Sequence, residues 1–169
     1  EPGDTIYLDT SDYFLSGGIS VDRFDAWDES TNLVSLQQGD VSLTIQGSTN
    51  EVAGGTVLRF FQQPVAIVMT QAMGVVVRDI TFRHSPAGSG IGLRAYLSDY
   101  FTAEGVRCLD GQMGFDIDNS DVVALQHCVA AGNTEQGLKS TESANVSWTS
   151  GVLWSNKYGA YQTGPATGS

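Results

Sequence analysis

The sequence predicts an all-β chain wound into a parallel β-helix, a solenoid with three short strands per coil of about 22–23 residues. Three observations predict it. Glycines at 92, 114, 137 and 159 recur at intervals of 22, 23 and 22 residues. Each glycine-led unit then repeats one internal order of apolar and polar residues. And no segment of a dozen residues or more carries the 3.6-residue apolar period of an amphipathic helix.

The elements follow in order. The first third, 1–74, is irregular: "GDTIYLD", "VSLTIQG" and "TVLRFF" have the alternation of strands. Between them "DRFDAWDESTN" (22–32) comes nearest to a helix, but it is short and acidic. It reads as a loop insertion or cap, with Asp22, Asp25, Asp28 and Glu29 solvated and Trp27 tucked over the solenoid end as a lid. From 75 to 163 the coils become regular. After each glycine comes a short strand with inward residues Leu93/Ala95, Phe115/Ile117, Leu138/Ser140 or Ala160/Gln162. A polar corner follows at Ser98-Asp99, Ser120-Asp121 and Ser143-Ala144.

Next comes an apolar-x-apolar-x-x-apolar-x-apolar run. Its copies are Val75/Val77/Ile80/Phe82, Phe101/Ala103/Val106/Cys108, Val123/Leu125/Cys128/Ala130 and Val146/Trp148/Gly151/Leu153. The double step in the middle marks a sharp bend between two strands. A variable loop returns to the next glycine. The chain reads as one domain over 1–169, with 164–169 a tail or cut point and about six or seven coils in all.

Three short strands cannot bury an apolar face alone, so each coil must stack on the next, pairing every strand with its own copy in parallel. Asn133 and Asn156 fall at matching positions, so one asparagine can stack on the other at a corner. Over 75–163 this pattern resembles the right-handed parallel β-helix of the pectin-lyase-like superfamily, which includes secreted bacterial and phage-tailspike proteins; over 4–74 the resemblance is weaker. Alternating strands with polar turns also build β-sandwiches, the competing fold.

Composition narrows the partners. Eight basic against 19 acidic residues give a formal charge of −11. Nucleic acid and anionic membranes need a basic footprint and are excluded. An acidic polysaccharide is not, because a few local cations or a bridging divalent ion can hold it. No apolar run reaches membrane-spanning length. The opening "EPGDTIYLD" shows no signal peptide, consistent with a mature or excised form. Cys108 and Cys128 are too few for a disulfide framework and fall at inward positions, as buried free thiols.

In the resembled superfamily the strand before the polar corner bears the active site. Here that is the post-glycine strand, whose outward residues form two columns: Arg94, Asp116, Lys139, Tyr161, and Tyr96, Asp118, Thr141, Thr163. Rungs ~4.8 Å apart make a strip of roughly 14 Å, enough for a few sugar rings. Asp116 and Asp118 point the same way with backbones roughly 6.5–7 Å apart. An inverting glycosidase holds its acid and base about 6.5–9.5 Å apart. The candidate catalytic set is therefore Asp116, Asp118, Arg94 and Lys139. The carboxylates serve as acid and base, and the cations neutralise a uronate carboxylate. Tyr96, Tyr161 and Thr141 are the candidate substrate contacts. The sequence points to no definite cofactor; calcium on Asp116, Asp118 and Asp121 is the metal candidate.

The same column is also what favourable cross-strand charge pairing would produce on a purely structural surface. The chain lacks the Asn-Thr-Asp, Asp-Asp, Gly-His-Gly and Arg-Ile-Lys motifs of polygalacturonases and the Asp-Pro-His-Glu of alginate epimerases. His127, at the bend, and His84, before Ser-Pro, read as exposed corner and loop residues, and they make no zinc site with the cysteines.

The resemblance thus implies an extracellular or phage-surface module that binds, and as a lyase or glycosidase depolymerises, an acidic polysaccharide. A non-catalytic structural or adhesive β-helix is the alternative. Open solenoid ends expose strand edges that flanking domains or a homo-oligomer, such as a trimer, would cover.

Overall fold

A computed structural model describes residues 4–15, 17–22, 43–50, 54–61 and 64–164. Among these residues there is no helix, and the strands stack as a parallel β-solenoid. The first rung is β1 (Thr5–Tyr7), β2 (Ser11–Leu15) and β3 (Ile19–Asp22). The second is β4 (Thr44–Gln46), β5 (Thr56–Phe61) and β6 (Val65–Thr70). Four regular coils follow. They are β7 (Val76–Arg78), β8 (Ile80–Ser85), β9 (Ile91–Tyr96); β10 (Thr102–Glu104), β11 (Arg107–Leu109), β12 (Met113–Asp118); β13 (Val123–Gln126), β14 (Val129–Ala131), β15 (Gln136–Thr141); and β16 (Val146–Thr149), β17 (Val152–Trp154), β18 (Tyr158–Thr163).

Every third strand joins one sheet, which gives three parallel six-stranded sheets. Sheet A holds β1, β4, β7, β10, β13 and β16; sheet B holds β2, β5, β8, β11, β14 and β17; sheet C holds β3, β6, β9, β12, β15 and β18. The acidic stretch expected to form a loop or cap begins inside sheet C, because Asp22 ends β3. Its remainder, with Asp25, Trp27, Asp28 and Glu29, lies outside the described residues.

The apolar run fills the interior as its spacing requires. Val77, Ala103, Leu125 and Trp148 succeed one another up sheet A, and Phe82, Cys108, Ala130 and Leu153 up sheet B. All but the last member of each column are buried. Both cysteines are buried free thiols. The double step is one residue with left-handed backbone at each bend: Asp79, Gly105, His127 and Ser150, with φ between 52° and 64°. That single αL residue turns the chain from sheet A into sheet B.

Corners are held by side-chain ladders. The Ser98 N–H donates to Ser120 Oγ at 2.9 Å and the Ser120 N–H to Ser143 Oγ at 3.0 Å. The Ser120 and Ser143 hydroxyls donate to the Asp118 and Thr141 carbonyls. These serines are buried, so a corner that looks polar in sequence is an internal hydrogen-bond column. The stacked asparagines form a second one. Asn133 Nδ2 donates to Asn156 Oδ1 at 2.8 Å, and Asn133 Oδ1 accepts the Gly111 N–H at 3.0 Å.

His84 overturns its expectation. It lies in β8, not in a loop, and is buried, with its ring 6.0 Å from that of Phe60. The strand runs to Ser85 and ends only where Pro86 withdraws its N–H. His127 is exposed at its bend, as its position implied.

Candidate functional site

Sheet C carries the strip. Its pairing places Arg94 beside Asp116, Asp116 beside Lys139 and Lys139 beside Tyr161. The second column runs Tyr96, Asp118, Thr141, Thr163. Both columns follow from the strand period of two: Phe115 and Ile117 point into the core, so Asp116 and Asp118 point out.

Outward register does not make Asp116 wet. Its side chain is 2% exposed, whereas those of Arg94 and Lys139 are 37% and 31% exposed. The two long side chains lie over it from the neighbouring rungs. Arg94 Nε is 3.4 Å from Asp116 Oδ2, and Lys139 Nζ is 3.4 Å from Oδ1. These are ion-pair distances rather than closed hydrogen bonds, and both Asp116 Oδ1 and Arg94 Nε are buried without a hydrogen-bond partner. Arg94 Nη2 also stands 3.9 Å from Asp118 Oδ2. Asp118 is the more open carboxylate and accepts a hydrogen bond from Asn119 Nδ2 at 3.0 Å. Two carboxylates and two cations therefore form one group whose formal charges cancel.

Tyr96 and Tyr161 are exposed beside this group. Thr141 is half-buried, and its Oγ1 has no hydrogen-bond partner. Asp121 sits past the corner in a ladder of its own. Its N–H donates to Asp99 Oδ1, and its Oδ1 accepts the Ala144 N–H, each at 2.8 Å. Among the described residues no three His, Cys, Asp or Glu side chains are gathered as metal ligands.

One part of the face was missed in the sequence. Below Arg94 the outer surface of sheet C sinks into a trough of about 470 Å³. Val68, in register with Arg94, and Thr70, in register with Tyr96, line it with Pro64 and Val65. The signal was there but displaced. Val68 precedes Arg94 by 26 residues instead of 22, because the 85–90 turn lengthens that coil. Ala66 also stands where Gly92, Gly114 and Gly137 mark the later coils.

No protein-family model, curated protein or solved structure matches the chain.

Proposed function

We propose that the chain is an extracellular glycan-binding β-helix module whose outer sheet C face receives an acidic polysaccharide. The observation that carries this reading is the Arg94–Asp116–Lys139 arrangement. A buried carboxylate draws together two partly exposed cations whose backbones stand two rungs apart on either side of it. Cations fixed by an internal counter-ion are preorganised, so a ligand carboxylate does not have to order them on binding. Tyr96 and Tyr161 flank them as exposed aromatic rings, a side-chain type suited to stacking on sugars.

Binding is favoured over cleavage. Proton transfer needs a carboxyl group within hydrogen-bond reach of the substrate, and Asp116 is covered by the two cations. Asp118 remains as the single accessible acid or base of the pair.

The second reading is a structural or adhesive solenoid. It is favoured by the mutual neutralisation of the four charges, which needs no ligand. The two separate in a screen of uronate-rich and neutral polysaccharides, with and without calcium, following binding, reducing ends and unsaturated products. Saturable binding to acidic glycans, weakened at least about tenfold in Arg94→Gln/Lys139→Gln, supports the glycan module. Turnover lost in Asp118→Asn would add catalysis to it. No binding to any glycan leaves the structural solenoid.

A further inference from the structure

We infer that the trough on sheet C is the subsite for one carboxylated sugar ring, seated on Val68 and Thr70 with its carboxylate against Arg94. The inference rests on the glycan reading and says where on the face the first sugar sits. The volume of about 470 Å³ falls within the usual range of small-ligand sites. Val65, Val68 and Pro64 supply an apolar bed for the C–H face of a pyranose, Tyr96 an aromatic ring, and Thr70 a hydroxyl.

Among the described residues Arg94 is the one charged side chain that lines it, and it favours an anionic ligand. Its buried Nε faces Asp116 at 3.4 Å, while Nη2 stands 3.9 Å from Asp118, too far for a hydrogen bond. A guanidinium has five N–H donors, so it can keep Asp116 on one side and take a carboxylate from the trough on the other. Asp116, beneath it, is a positioning residue. It fixes where Arg94 points and touches no ligand.

The test is calorimetric titration of the 169-residue chain with digalacturonate, with its methyl ester, and with longer galacturonate oligomers. The variants are Val68→Glu, Arg94→Gln and Lys139→Gln. All three positions face outward, and thermal unfolding checks that each variant folds. The expected result is binding of the dimer, at least about tenfold weakened in the ester, in Val68→Glu and in Arg94→Gln, but changed less than about twofold in Lys139→Gln. Lys139 would matter only for the longer oligomers. Dimer binding that ignores Val68→Glu yet disappears in Lys139→Gln would overturn the trough while leaving the glycan reading intact, with the ligand placed at the Tyr161 end. Equal affinity for acid and ester would overturn the carboxylate assignment. No binding of any oligomer would overturn both.

Discussion

Gly114→Ala should loosen the solenoid, and the size of the effect follows from what the new methyl would meet. A Cβ at Gly114 would lie 2.5 Å from the Gly137 carbonyl oxygen and 2.7 Å from Ala130 Cβ. Relaxed carbon contacts are about 3.5–4.0 Å. Neither obstacle can rotate away, since one is ladder backbone and the other a methyl on the chain itself. The rungs would have to part. Overpacking of this kind costs about 1–3 kcal/mol, and two rigid contacts at once put it near 3. Loss of unfolded-chain freedom on Gly→Ala returns about 0.4–1 kcal/mol. The net is a destabilisation of about 2 kcal/mol, or a Tm lower by roughly 4–8 °C for a chain of this size. Gly159, one glycine of the same series, has nothing within 4 Å of its Cβ position. Gly159→Ala should leave Tm unchanged or raise it by a degree or two. Far-UV circular dichroism during thermal and urea unfolding measures both variants. An unaltered Gly114→Ala beside a destabilised Gly159→Ala would refute the view that these glycines mark close inter-rung contacts.

Asp116→Asn should lower stability by about 1–3 kcal/mol, because it strands Arg94 and Lys139 side by side without their counter-ion. Asp118→Asn, whose ion pair is longer and more open, should cost less than about 1 kcal/mol. Urea midpoints compare the two. Burial pushes His84 below its ordinary pKa of 6.5, with the Ile91 backbone partly offsetting this. The unfolded chain therefore takes up the proton first. The His84 contribution is constant above pH 6.5 and is lost as pH falls below it towards the folded value. Tm measured between pH 7.5 and 5 should fall less steeply in His84→Leu than in the unaltered chain. Burial also raises the Cys128 thiol to about 11 and the Cys108 thiol well above its usual range. Both should resist a thiol-specific reagent at pH 8 in the folded protein and react on unfolding; rapid labelling of the native chain would contradict their burial.

The register of the middle coils was readable because it is written in glycines whose neighbours leave no room for a side chain. Gly92, Gly114 and Gly137 stand where a Cβ would strike the adjacent rung, so they recur at coil spacing and act as a ruler. Inward columns were readable because most buried positions recur as apolar side chains at fixed parity. The bends were visible as a double step, yet Asp79, Gly105, His127 and Ser150 share no chemistry; what they share is a positive φ. His84 was misplaced because Ser-Pro after it suggests a loop, while its burial is set by Phe60, its partner in the neighbouring strand. The serine corners looked wet because a serine that caps the N–H of the preceding coil is indistinguishable, in sequence, from one in a turn. Asp116 was placed correctly in its column, but a column fixes only where a side chain starts. Whether it meets water depends on how Arg94 and Lys139 lie across it.

That last difference changes the chemistry available to the face. Two carboxylates two residues apart suggest an acid and a base of equal standing, but the fold gives them unequal surroundings. Asp116 is spent internally, on two cations, and Asp118 stands open at the edge of the same group. Removing the charge of Asp116 should therefore change stability and the orientation of Arg94 first, and ligand affinity only through Arg94. Removing Arg94 should change affinity for carboxylated sugars directly. If the Asp116→Asn chain still folds and binds digalacturonate with unaltered affinity, Asp116 is not what positions Arg94, and the preorganisation argument fails even though the trough itself would stand.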